Sequence, residues 1–320
     1  MFIAFHSYTN QGQLWLVFLY LENSMSVKIL DKNTIVKQSS DGFTPLIIGD
    51  PATIFSARAA RLRELAKDSF MADYLLVAGQ IVQLQAQLAE DFAAPVAQFV
   101  QTHELAWPLT LNSDWFPLLE QMLAQLSTSL RLVASDDIVK IIDAINELDS
   151  DTLHHYFTAL QHNQSERVPA DLAIILFACI NTLTSLMVKT TALEWQPEPN
   201  VKQHTCPLCG GAPAASMIKG SGHRYLHCSQ CEAEWHRLRA ECTQCADGEN
   251  IQLQSETLED AVRAETCGHC HSYLKILFLE KQPNLDPIAD DLATLVLDQK
   301  LSQSELYRNG FNPFLLPLMQ

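Results

Sequence analysis

From Asp50 to about Trp195 the apolar positions recur at helical spacing. In "DPATIFSARAARLRELA", Phe55, Ala59, Leu62 and Ala66 fall on one face, Asp50 stands where an N-cap belongs, and Pro51 takes the first helical position. "ADYLLVAGQIVQLQAQLAEDF" continues in unbranched, strongly helix-forming residues. "DDIVKIIDAINELDS" carries another stripe through Ile138, Ile141, Ile145 and Leu148. Pro95, Pro108, Pro117 and Pro169 read as breakers in the loops between these helices. "DLAIILFACINTLTSLMV", residues 171–188, is apolar on all sides, which fits a buried central helix over Leu172–Val188. Asn181, several hydroxyl residues and the bracketing Asp171 and Lys189 argue against a membrane span.

The pattern changes at "EWQPEPNVKQ", residues 194–203, where two prolines in a polar stretch end the last helix and make a linker. Beyond it the period shortens to that of strands. "AASMIKGSGHRYLH" reads as two strands about a Gly-Ser-Gly turn, and "SYLKILFLEK" as another strand. "QPNLDPIADDLATLVLDQKL" returns to a helix capped by Asp286 and begun by Pro287, with Ile288, Leu292, Leu295 and Val296 on one side. Asp290 and Asp291 fall in its early turns, where carboxylates favour the helix dipole. The apolar end, "NGFNPFLLP", is expected to dock against the body.

The expected class is therefore α+β: an all-helical domain over residues 28–195, a linker at 196–204, two small rubredoxin-like or zinc-ribbon modules at 205–240 and 241–285, and a C-terminal helix and tail at 286–320. Residues 1–27 fit none of this and read as a non-native or disordered leader. Residues 1–25 hold no Lys or Arg, so the basic start of a secretory signal is missing, and the apolar run Leu14–Leu21 is too short to span a bilayer. Met25 is the expected true start, so a chain beginning there should fold and function as well as the full one.

Composition narrows the function classes. With 48% hydrophobic residues the 320-residue chain can bury a sizeable core. A formal net charge of −16 disfavours nucleic-acid binding, which needs a basic face to displace counterions from phosphate. The exception to the acidic balance is the knot Arg58, Arg61 and Arg63, read as a solvated helix face, with a docking patch for an acidic partner as the alternative. No catalytic constellation is visible among the helices.

The chemistry lies in the cysteines. Eight of nine form Cys-x-x-Cys pairs, at Cys206/Cys209, Cys228/Cys231, Cys242/Cys245 and Cys267/Cys270. In a reducing cytosol such pairs read as metal knuckles rather than disulfides. A tetrahedral site takes two knuckles. Sequential pairing joins Cys206/Cys209 to Cys228/Cys231 and Cys242/Cys245 to Cys267/Cys270, across loops of 18 and 21 residues. The nested alternative pairs the two inner knuckles and leaves the outer ones far apart. Gly210, right after "CPLC", stands where a positive φ is wanted.

Eight thiolates fill two four-coordinate sites and leave no open position, which argues against hydrolytic zinc chemistry. Two ions per chain are expected, zinc or rubredoxin-like iron, since thiolate softness admits both. His204, His223, His227, His236, His269 and His271 crowd the knuckles and could each replace a thiolate, but with the cysteine count complete they are expected behind the ligands or at the surface. Cys179 reads as a small buried apolar residue. Two functions stay open: a binding protein whose metal sites shape its grip, or a thiol-disulfide or electron-transfer protein using a labile Cys-x-x-Cys.

In order, "CPLCGGAPAASM", "RYLHCSQCEAEWHRLRAECTQC", "AETCGHCHSYLKILFLEK", "DPIADDLATLVLD" and "NPFLLP" resemble the formate dehydrogenase accessory protein family, FdhE, as does "DPATIFSARAARLRELA". The resemblance covers roughly residues 28–317, and all eight paired cysteines match family knuckle positions. It implies a cytoplasmic, non-enzymatic assembly factor with a helical domain and two rubredoxin-like metal modules. Its implied partner is the catalytic subunit of molybdenum-containing respiratory formate dehydrogenases, met before export. Residues 1–25 lie outside the family pattern, and the ending "LLPLMQ" lacks the glycine expected after the last proline.

Overall fold

The computed structural model describes residues 44–318 apart from 111, 192–203, 221 and 258. The leader, the Met25 start and the linker at 194–203 lie outside the described residues. The helical region consists of α1 (Pro51–Leu65), α2 (Ala72–Asp91), α3 (Ala93–Thr102), α4 (Phe116–Arg131), α5 (Asp136–Asn146), α6 (Ser150–Gln161) and α7 (Ala170–Thr191). Asp50 caps α1 as its sequence predicts, accepting from the Thr53 N–H at 3.0 Å with Pro51 opening the helix. The stripe Phe55, Ala59, Leu62 and Ala66 is buried.

Two of the four prolines behave differently from expectation. Pro95 and Pro117 lie in the first turns of α3 and α4 rather than in loops. A first-turn residue has no intrahelical partner for its N–H, so proline costs nothing there and its fixed φ suits the helix. Pro108 does lie in a loop, and Pro169 ends one, its carbonyl accepting from the Leu172 and Ala173 N–H groups of α7. In α5 the buried line runs through Ile142 and Ile145, while Ile138, Ile141 and Leu148 are only half-buried.

Helix α7 is long and apolar enough to cross a membrane, but 89% of its most apolar window is buried inside the protein. Helices α2 to α6 and residues 313–318 pack around it. Its polar residues turn back on their own helix, Thr182 to the Ala178 carbonyl at 2.8 Å and Ser185 to that of Asn181 at 2.6 Å. Buried hydroxyls satisfied in this way need no water. Cys179 is fully buried among them, and burial pushes its thiol well up.

Eight strands among the described residues form one sheet. Its strands are β1 (Leu46–Ile47), β2 (Pro213–Lys219), β3 (His223–Cys228), β4 (Glu234–Arg237), β5 (Ile251–Gln254), β6 (Val262–Cys267), β7 (Ser272–Phe278) and β8 (Tyr307–Arg308). The order is β1-β4-β3-β2-β7-β6-β5, with β8 also on β7. The turn between β2 and β3 uses Gly220 and Gly222 at positive φ, as "KGSGH" predicts. Each module is an antiparallel unit, β2-β3-β4 or β5-β6-β7, and the parallel pairing of β2 with β7 (Ser216 opposite Ile276) fuses them. The central strands β2 and β7 are buried on both faces, as expected for strands covered on both sides.

The expectation of two cores divided by a linker is not met. One apolar cluster runs from Phe55 and α7 through Leu208, Leu226 and Trp235 to Ile288, Leu292 and Phe314. Strand β1, before the first helix, pairs with β4 beyond the first cysteine group. Phe314, Leu315 and Leu316 of the tail are buried, as expected.

The basic knot is corrected as well. Arg58 and Arg61 are only 2% and 8% exposed, and Arg63 alone of the three faces solvent. Arg61 Nη2 lies 2.6 Å from Asp290 Oδ1, and Arg58 Nε lies 3.0 Å from Asp286 Oδ1. The C-terminal helix is likewise broken, into α8 (Ala289–Ala293) and α9 (Leu295–Ser302), with Thr294 between them. The Asp286 carboxylate still accepts from the Ile288 and Ala289 N–H groups, at 2.9 and 2.7 Å. Asp290 and Asp291 do fall in the first turn of α8, as expected, but both are also buried ion-pair partners. Asp291 pairs with Lys275 at 3.3 Å and, more closely, with Arg308. Burial works against its charge, but these two cations hold its carboxyl below the usual range.

Candidate metal centres

Each Cys-x-x-Cys pair is a tight turn beside a strand. In the first module the knuckle 206–209 precedes β2, and Cys228 ends β3. In the second the knuckle 242–245 precedes β5, and Cys267 ends β6. The N–H groups of Cys206, Cys228 and Cys242 donate to the carbonyls of Gly211, Ala233 and Asp247 at 2.7–2.9 Å, closing three turns alike. The residue after each second cysteine has a positive φ: Gly210 at 72°, Glu232 at 62°, Ala246 at 60° and His271 at 59°. Only the first of these is the glycine that readily adopts it. Turn backbone then points at sulfur, with Leu208 N–H 3.4 Å from Cys206 Sγ, Gln230 N–H 3.4 Å from Cys228 Sγ and Gln244 N–H 3.3 Å from Cys242 Sγ.

The structure gathers the sulfurs in the sequential scheme, not the nested one. Cys206, Cys209, Cys228 and Cys231 form one group and Cys242, Cys245, Cys267 and Cys270 the other, with the sulfurs of each group within 4.8 Å of one another. Across the knuckles, Cys206–Cys231 and Cys209–Cys228 are 3.5 and 3.4 Å apart, and Cys242–Cys270 and Cys245–Cys267 are both 3.7 Å apart. A zinc–sulfur bond of about 2.3 Å gives a tetrahedron edge of roughly 3.8 Å, so both groups fit a four-thiolate ion. The spacing exceeds a disulfide bond of about 2.0 Å by far. Among the described residues neither group includes a histidine.

Sequence reading missed what stands behind the first group. Glu232, following Cys231, is buried and takes a two-pronged grip from Arg58, Nη1 to Oε1 at 2.9 Å and Nη2 to Oε2 at 2.6 Å. Asn181 of α7 donates to the same carboxylate at 2.9 Å and to the Gln230 carbonyl at 3.0 Å. His227 Nε2 lies 2.8 Å from Glu232 Oε2. Burial disfavours these charges, yet Arg58 and His227 hold the Glu232 carboxyl down to about 2. Glu232 and Glu234 in turn raise His227 to about 9 against its burial. The signal in the sequence is a large acidic residue at a position that prefers glycine, together with the amide of Asn181 in the middle of a mainly apolar helix.

Gly211 tests how closely the first group is packed. A Cβ there would lie 3.0 Å from Gln230 Cβ and 3.2 Å from the sulfurs of both Cys209 and Cys228. Gly211→Ala is expected to destabilise the protein by about 1–3 kcal/mol, a typical overpacking cost. Thermal melting with ion counting by native mass spectrometry checks this: an unchanged melting point and full ion content would contradict the packing.

Three family models match the chain: "FdhE, N-terminal" over residues 43–192, "FdhE, central domain" over 205–239 and "FdhE, C-terminal domain" over 240–315. A protein named "Protein FdhE homolog" from Haemophilus ducreyi is 35% identical over 310 residues, covering 92% of this chain and 100% of its own. One of the same name from Yersinia enterocolitica is 33% identical over 311 residues, covering 92% and 99%. The crystal structure of the FdhE protein from Pseudomonas aeruginosa is similar in fold, with a TM-score of 0.70 at 27% identity over 85% of this chain and 98% of that one.

Proposed function

The chain belongs to the FdhE family, and from that premise we propose that it is a cytoplasmic accessory protein for maturation of respiratory formate dehydrogenase, binding the molybdenum-containing catalytic subunit before export. The observation that carries this reading is the family match running through helical, central and C-terminal regions with both four-cysteine groups intact. Cys206, Cys209, Cys228 and Cys231 would hold one ion, and Cys242, Cys245, Cys267 and Cys270 a second. Zinc would supply a fixed tetrahedral clamp, and iron the same clamp with a one-electron change of charge. Four protein ligands leave no place for substrate water, which favours a binding role over hydrolysis. The acidic charge suits a protein partner better than nucleic acid.

Affinity capture of this chain from cells expressing the unprocessed catalytic subunit tests the reading. The subunit is expected to be retained, and formate dehydrogenase activity to fall sharply in cells lacking the chain. Unchanged activity without it would end the proposal. The second reading, a thiol-disulfide or electron-transfer protein, draws on one observation: Cys245 and Cys270 are half-exposed. Catalytic turnover of a disulfide substrate by the metal-loaded chain would favour it.

A further inference from the structure

The two cysteine groups have the same ligand set but different settings. At the first, the knuckle tips Pro207, Leu208, Ser229 and Gln230 are all buried. The helical region holds both tips: the Leu109 N–H donates to the Leu208 carbonyl at 2.7 Å and Asn181 to that of Gln230 at 3.0 Å. All four cysteines there belong to the continuous apolar core. At the second, Thr243 is the one buried tip residue, Gln244, Gly268 and His269 are exposed, and Cys245 and Cys270 are half-exposed. Among the described residues none of its cysteines belongs to an apolar cluster. Its close neighbour is polar, Ser272 Oγ standing 3.1 Å from Cys270 Sγ. Strand β5, which follows the Cys242/Cys245 knuckle, is the edge of the sheet.

Releasing a bound ion requires a ligand sulfur to let go, to take up a proton from water, and to admit a competing donor. A sealed site can do this only when the core around it opens, whereas a half-exposed one needs a local movement. We propose that Cys242, Cys245, Cys267 and Cys270 form an exchangeable metal site, whose ion passes to external chelating donors such as thiolates or aminocarboxylates, and that the group at Cys206, Cys209, Cys228 and Cys231 is permanent. Cys245 and Cys270 are the sulfurs that let go first, since solvent and donor reach them without disturbing the core. This deepens the reading of both groups as metal sites and rests on it.

The test uses the full chain carrying both ions, with excess EDTA as the competing donor. Native mass spectrometry counts ions over time, and iodoacetamide trapping with peptide mapping reports which sulfurs are free. Two phases are expected, the first about tenfold faster or more, consistent with a barrier lower by at least about 1.4 kcal/mol. The one-ion species should be alkylated at the second group and protected at the first. Cys270→Ser should abolish the fast phase and leave the slow one unchanged. Release of both ions in one phase, alkylation of the first group before the second, or a slow phase altered by Cys270→Ser would overturn the proposal. A freshly prepared chain holding no ion would instead overturn the metal-site reading beneath it. None of these outcomes bears on capture of the dehydrogenase subunit, so the two readings fail separately.

Discussion

Replacing Cys228 and Cys231 together by serine is expected to remove one ion, unfold the β2–β4 end of the sheet and loosen α1 and α7 with it. Two remaining thiolates cannot hold a tetrahedral ion, and a structural four-ligand zinc site contributes on the order of 10 kcal/mol to folding in small modules. Sequence alone predicts that the helices survive such a change, because the linker would keep the helical and cysteine-rich cores separate. The continuous apolar cluster from Phe55 and α7 to Leu208, Leu226 and Trp235 reverses that expectation. Hydrogen exchange distinguishes the two. Amides of α1 and α7 should lose protection along with those of β2–β4, while α5, which packs on α4 and α7, should lose less. Loss confined to residues 206–240 would mean the shared core contributes little. Formate dehydrogenase maturation is expected to be abolished in either case.

The other large effect is expected at Glu232. Glu232→Ala leaves the Arg58 guanidinium, the Asn181 amide and His227 buried beside an empty space, and Asp286 alone cannot satisfy Arg58. Removing one partner of a buried ion pair typically costs about 3–5 kcal/mol. Glu232→Gly loses the same carboxylate but relieves the left-handed backbone at φ 62°, so it should be less damaging than alanine by about 1 kcal/mol. Chemical denaturation of the three proteins in the metal-loaded state measures both differences. Equal stability of the alanine variant and the parent would show that the grip on α1 contributes nothing net. An alanine variant more stable than the glycine one would show that the backbone is unstrained.

Much of this protein is determined by short-range sequence. The α1 cap and stripe depend on residues three and four apart, and the Gly-Ser-Gly turn on three neighbours. The four knuckles depend on cysteines three apart, and the loops between them favour sequential pairing without excluding the nested one, which the structure rules out. Those features need no knowledge of what covers them. The errors have a common cause: periodicity tells which side of an element is apolar, not what lies against the polar side. Arg58 and Arg61 look like solvated charge, and Asp290 and Asp291 like carboxylates that serve only the helix dipole, yet the partners stand far along the chain, Glu232 174 residues and Asp286 228 residues from Arg58. The fusion of two modules into one sheet rests on the parallel pairing of β2 with β7, whose register no local pattern encodes. The difference between the two cysteine groups is likewise invisible in their spacing. Tertiary packing decided it, by laying α7 and the α3–α4 loop over one pair of knuckles and leaving Gln244, Gly268 and His269 at the tips of the other pair in water.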